Sequence, residues 1–281
     1  RERQVVLNPN SGSLKRNLMF EYSHKGDVLG NPNLSNLGDR PGAVEAYRKM
    51  IDIARQMHEA DPKDQRARSD YAIALSRVSA VLPDNAYDER IRTLRQSIQL
   101  QREVESVTPD NLLNRADLVF NHNFLGDALD ASGQVDLARK TYEQGIKIAE
   151  TMLPGTQSTL LATTALIHRK LGILQGKRGE RDLALRHART VLELSNPATE
   201  LARKRPVDFQ RFFTVRGFSA MGLTHAALAR SHSGNAQDVK EARRWLSQSL
   251  ARYRELSKLP TFSNTNRNEV VVLQKALEEL P

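Results

Sequence analysis

Cysteine is absent from the 281-residue sequence, which excludes disulfides and thiolate metal sites and leaves no redox marker of compartment. Aromatic residues are scarce at 5%, lean for one spherical core but adequate for thin helical layers that bury each other pairwise. No apolar run approaches the ~20 residues that a membrane-crossing helix needs, and the first residues lack the charged and apolar regions of a signal peptide. A soluble chain is expected, with its compartment left open. Missing too are the phosphate loop GxxxxGK(S/T), GxGxxG, HExxH, GxSxG and CxxC, whose spacings carry phosphate, dinucleotide, zinc, nucleophile-elbow and redox chemistry. No catalytic residue, cofactor or metal site is therefore expected.

What is present is a recurring unit. In residues 119–154, VFNHNFLGDALDASGQVDLARKTYEQGIKIAETMLP, Gly126 and Gly133 lie seven apart, followed by Ala138, Tyr142 and Gly145 at plus five, four and three. Phe124, Leu125 and Leu129 form one apolar stripe at helical spacing, and Ala138, Tyr142, Ile146 and Ala149 another. Two facing helices are predicted, with Gly133 between them where the chain needs positive φ. Gly126 and Ala138 keep the crossing thin, so a larger residue at Ala138 would overpack it by ~1–3 kcal/mol.

The same offsets recur at Gly172, Gly179, Ala184, Ala188 and Val191. They recur again at Gly26, Gly38, Ala43, Tyr47 and Met50, where an inserted NPNLS spreads the glycines to twelve apart. Degraded copies run through Tyr71, Leu75, Val78, Leu82, Ile91, Leu94 and Ile98, and through Gly234, Ala242, Trp245, Leu246 and Ser249. Pro9, Pro62, Pro109, Pro154 and Pro197 follow charged helical runs at intervals of 53, 47, 45 and 43, where proline stops a helix.

This pattern resembles the tetratricopeptide repeat family, helical hairpins that pair a small residue in the first helix with alanine, an aromatic and a late proline in the second. The resemblance covers nearly the whole chain but departs from that family's ~34-residue period by roughly ten residues. It implies an all-α, right-handed superhelix of about five hairpins, at about 13–62, 63–110, 111–155, 156–197 and 205–259, in a single domain 13–281. A cap at 264–280 would use Val270, Val271, Leu273, Leu277 and Leu280 to cover the end of the stack. Residues 1–12, RERQVVLNPNSG, read like QREVESVTPDN at 101–111, as the close of a preceding second helix, so a longer protein is expected. The stretch GDVLGNPNLSNLGDRPGAVEAYRKMIDIA, residues 26–54, resembles more narrowly the repeat regions that follow the catalytic domain of certain bacterial serine/threonine protein kinases. Kinase catalytic-loop and DFG elements are missing, so any kinase activity would lie upstream of Arg1.

The tetratricopeptide resemblance implies a concave face of first helices that binds protein or peptide, with contacts three before and one after each small residue. Carried onto this sequence, these are Ser23 and Asp27, Asn123 and Asp127, Arg169 and Ile173, and, in the degraded copies, Ser76 and Ala80, Thr224 and Leu228. They do not reproduce the lysine and asparagine set that clamps a C-terminal carboxylate in some relatives. The gradient runs from acidic near the start to basic at Arg169, Lys170, Lys177 and Arg178. Residues 1–160 hold 21 basic and 22 acidic side chains and residues 161–281 hold 21 and 11, or −1 and +10. A net charge of +9 and pI near 9.9 suit an acidic partner.

Rival readings attach to several residues. Asp27 and Asp127 could be paired carboxylates for acid–base work, but they sit in different repeats and read better as groove-lining or solvated. His122 and His168 share one repeat position, where core filling is preferred to metal ligation. The phenylalanines at 209–218 are spaced for packing, although Phe209, Phe212 and Phe213 could anchor a ligand. Nucleic-acid binding is disfavoured because aromatics are not interleaved with the basic residues to stack bases. The expectation is a non-catalytic protein-interaction scaffold within a larger signalling protein; the alternatives are a sensing or self-association region of such a kinase and a basic nucleic-acid binder.

Overall fold

In the computed structural model, which describes residues 2–32, 34, 36–152 and 158–281, every regular element is an α-helix. The described chain divides into two units, one up to Ile148 and one from Ala149 onward.

The first unit contains α1 (Glu2–Leu7), α2 (Gly12–Gly30), α3 (Arg40–Ala60), α4 (Gln65–Val81), α5 (Tyr87–Val107), α6 (Leu112–Ala131) and α7 (Val135–Glu150), whose last turn crosses the boundary. From α2 to α6 each helix packs on the next. Short polar side chains start four of them: Ser11, Asp39, Asp64 and Asn111 each accept a hydrogen bond from a backbone N–H in the first turn of α2, α3, α4 and α6, satisfying donors that have no intrahelical partner. The ends are set by the predicted prolines. Residues before Pro62 and Pro109 are pushed out of helical geometry, and α3 and α5 stop at Ala60 and Val107. Pro154 and most of the loop around it lie outside the described residues, as do Asn33 and Ser35 of the NPNLS insertion.

Glycine conformation follows the sequence closely. Gly38, Gly133 and Gly179 adopt φ of 79°, 81° and 74°, and no other described residue has positive φ. After Gly133 the Gln134 N–H donates to Leu129 O at 2.8 Å, and after Gly179 the Glu180 N–H donates to Gln175 O at 3.0 Å, the six-to-one bond that closes a helix through a left-handed residue. The core of this unit joins Met19, Tyr47, Met50, Tyr71, Leu75, Val78, Leu82 and Leu100.

The second unit contains α8 (Ser158–Lys177), α9 (Arg181–Leu194), the single turn α10 (Glu200–Arg203), α11 (Val207–Ala229), α12 (Ala236–Leu256) and α13 (Asn264–Glu278). Its centre is α11, which packs on α8, α9 and α12 and is buried nearly all round from Phe213 to Leu228. That explains why no Asp, Glu, Lys or Arg occurs between Arg216 and Arg230. Of the phenylalanines, Phe213 is buried and stacks on Phe209 with ring centroids 5.0 Å apart, while Phe212 meets Phe262 and Phe218 meets Trp245. Each of these rings packs on another aromatic side chain. Helix α13 buries Leu273 completely and leans Val270, Leu277 and Leu280 on the same cluster, but Val271 is 61% exposed.

Candidate functional site

The recurring glycine answers to a tyrosine ring. A methyl group on Gly126 would lie 2.3 Å from Cε1 of Tyr142, and one on Gly26 would lie 2.5 Å from Cε1 of Tyr47. Each ring is fully buried and its hydroxyl donates to the aspartate that follows the glycine: Tyr142 to Asp127 at 2.6 Å, Tyr47 to Asp27 at 2.7 Å. Two hairpins one hundred residues apart thus carry the same three-residue lock. The hairpin of α8 and α9 lacks the tyrosine, and there the expectation of close backbones holds. A methyl group on Gly172 would sit 3.2 Å from Ala184 O and 3.6 Å from Ala188 N, with Thr224 Oγ1 nearer still at 2.8 Å.

The lock places the predicted contact residues. Ser23 and Asn123 are buried, because a residue three before the glycine shares the face that packs. Thr224 and Leu228 are fully buried because α11 is enclosed on nearly every side. Asp27 and Asp127 keep an outward edge but spend an oxygen on tyrosine. Burial raises Asp27, yet hydrogen bonds from Asn31, Tyr47 and Arg77 outweigh it and hold the carboxyl below its usual value. Burial and the same aspartate push Tyr47 up to about 12, and Tyr142 rises likewise. Both tyrosine hydroxyls stay protonated at neutral pH.

Hydrogen bonds between first helices tie the face of α2, α4 and α6 into one row. Arg77 on α4 donates to Asp27 on α2 at 2.6 Å, Arg16 on α2 to Asp70 on α4 at 2.8 Å, and Ser76 on α4 to Asn121 on α6 at 2.6 Å. Asn121 in turn donates to Ser97 and Gln101 of α5, both at 2.8 Å. Along this face run the exposed Phe20 and the half-buried Ile73, Ala80, Phe120 and Phe124. Asp117 sits among them, half-buried, and desolvation pushes its carboxyl up to about 6 against a small opposing effect of Arg77. A partly desolvated carboxylate on the helix face that carries Phe120 and Phe124 favours a cationic group. Elsewhere in this unit a cleft of about 700 Å³ has Val44, Val81, Leu82 and Pro83 along its floor. Both of its arginines are engaged, Arg40 with Asp84 at 3.0 Å and Arg48 with Glu89 at 3.1 Å.

In the second unit Arg169 is taken. Its two terminal nitrogens donate to both oxygens of Glu269 on α13 at 2.7 and 3.0 Å. Ile173 leans on the cluster of α11, α12 and α13, and Lys177 is exposed. The histidines fill the core as expected: His122 and His168 are buried, and burial depresses both to about 4. His168 also meets His187 of α9, Nδ1 to Nδ1 at 2.8 Å, and burial lowers His187 to about 4 as well. A bond between two imidazoles requires at least one to be neutral. Asp238, fully buried at the start of α12, accepts from both ends of the Arg181 fork, from Asn235 N and from His225 Nδ1 when that nitrogen carries the proton. No group of three or more metal-ligating side chains occurs among the described residues, and no described helix is long and apolar enough to cross a membrane.

The sequence did not signal Glu269, Asn121, Asp117 or His187, because each acquires its meaning from a residue on another helix. Neither known family models nor curated proteins match this chain.

Proposed function

We propose that this protein is a tetratricopeptide-like α-solenoid scaffold, right-handed and of about five hairpins with a terminal cap, that binds a protein or peptide segment without catalysing a reaction. The observation that carries this reading is the repeated lock of Gly26, Asp27 and Tyr47 and of Gly126, Asp127 and Tyr142. Recurrent small-to-aromatic packing between paired helices is how a repeat array presents a fixed surface. The contact surface we assign is the tied row of α2, α4 and α6. Phe20, Ile73, Phe120 and Phe124 supply apolar contact, and Asp117 supplies negative register. The basic half suits an acidic partner and this row suits a segment with a lysine or arginine between apolar side chains. A place in a larger bacterial signalling protein, including the region after a serine/threonine kinase domain, fits the resemblance of residues 26–54.

Panning a displayed library of random peptides against the full chain tests this. Selected peptides are expected to alternate apolar and basic residues and to lose at least tenfold in affinity against Phe120→Ser and Asp117→Lys, with the circular dichroism of both variants unchanged. Selected peptides that bind both variants as tightly as wild type would remove the assignment.

A further inference from the structure

Helix α13 is held on the second unit by chemistry unlike that of the hairpins. Its inner face carries Glu269, Leu273 and Ala276 at offsets of four and three, one stripe of a helix, and Glu279 follows three further on, just past its end. Leu273 and Ala276 enter the cluster of Val215, Leu223, Ala226, Leu246 and Tyr253. On either side a carboxylate meets an arginine: Glu269 is gripped by Arg169 of α8, and Glu279 accepts from Arg230 at the end of α11 at 2.8 Å. The two clamps are ten residues apart, roughly 15 Å along a helix. The Arg169 clamp is the sheltered one, its side chains only 16% and 15% exposed.

Two features set α13 apart from a simple lid. The fit is loose near its start, where a cavity of about 140 Å³ remains between Leu166, Arg169, Val191, Arg216, Tyr253 and Asn266. The charge is also complementary. Residues 264–281 carry two basic and three acidic side chains, whereas 149–263 carry 19 and 9. An isolated 15-residue helix is marginal in water, so α13 depends on docking for its structure, and detaching it opens one edge of the unit only.

We propose that α13 is a resident ligand on a recognition surface for acidic amphipathic helices, and that a partner protein's helix carrying the pattern Glu-x3-Leu-x2-Ala-x2-Glu displaces it. The surface comprises Arg169, Arg230 and the Leu273 slot. The tether gives α13 an effective concentration on the order of millimolar, so the partner must bind more tightly than α13 itself, and the surface stays closed to weak competitors. This rests on the reading of the chain as an interaction scaffold but uses a different surface, so failure at the α2–α4–α6 row leaves it standing and its own failure leaves that row standing.

The probe is a fluorescein-labelled peptide of residues 262–281, and the receptor is the full chain carrying Leu273→Asp, which empties the slot. The variant is expected to bind the peptide with micromolar Kd, and wild type at least tenfold more weakly because its own α13 competes. Adding Arg169→Glu and Arg230→Glu to the variant is expected to abolish binding. A folded Leu273→Asp chain that ignores the peptide overturns the proposal. So does a wild-type chain that dimerises by exchanging α13, which would make a second copy the occupant. If Leu273→Asp fails to fold, hydrogen exchange of wild type decides: α13 amides should exchange at least tenfold faster than those of α11 and α12. Exchange of all three helices in one event overturns the proposal.

Discussion

Replacing Gly126 by alanine separates two physical effects of opposite sign. In an open helix interior the change would stabilise by ~1 kcal/mol, because alanine has the better helix propensity. Here the new methyl group would sit 2.3, 2.5 and 2.7 Å from three ring carbons of Tyr142. The ring cannot swing away cheaply, being buried and tied at its far end to Asp127 by a 2.6 Å hydrogen bond. Overpacking costs ~1–3 kcal/mol, and drawing the hydroxyl off a carboxylate costs ~1.5–3 kcal/mol. Net of propensity, the loss is on the order of 1.5–5 kcal/mol. Urea unfolding followed at 222 nm measures it. Tyr142→Leu on its own should destabilise, yet combined with Gly126→Ala it should recover at least 1 kcal/mol of coupling, since the smaller side chain vacates the site. The second unit holds a near analogue of the single Tyr142→Leu variant, with Gly222 packed on Leu246. A Gly126→Ala chain as stable as wild type, or a double variant whose losses merely add, would refute the reasoning.

Two further predictions concern pH and run in opposite directions. His168 and His187 titrate near 4 when folded and near 6.5 when unfolded, so the unfolded chain binds more protons between these values and stability should fall as pH drops from about 6.5 to about 4. Replacing both by leucine should flatten that part of the urea-midpoint profile for the second unit, and an unchanged slope would contradict the burial of the pair. Asp117 titrates near 6 when folded against about 3.9 unfolded, so its contribution is lost as pH rises from about 4 to about 6. Asp117→Asn should therefore be near neutral at pH 4 and stabilise by ~1–2 kcal/mol at pH 8. Equal effects at both pH values would show the carboxylate to be ordinarily solvated.

Much of the local structure was legible in the chain. The positive φ of Gly133 followed from its place between two apolar stripes, and the ends of α3 and α5 followed from Pro62 and Pro109, since backbone sterics depend on near neighbours alone. Helix spacing likewise marked Tyr142, Ala138 and Leu129 as inward. The contact residues were less legible. Counting three back from Gly26 and Gly126 led to Ser23 and Asn123, which are buried, because the offset fixes a helical face but not what lies against it.

The sequence by itself determined that the protein is helical, where its helices stop, and which side of each is apolar; these depend on interactions within a few residues. Only the tertiary structure decided that Gly126 makes room for a ring, that His168 faces His187, and that Arg169 is already held by Glu269 one hundred residues away. Such pairings depend on how helices are brought together, and no periodicity along the chain encodes which carboxylate will reach which guanidinium.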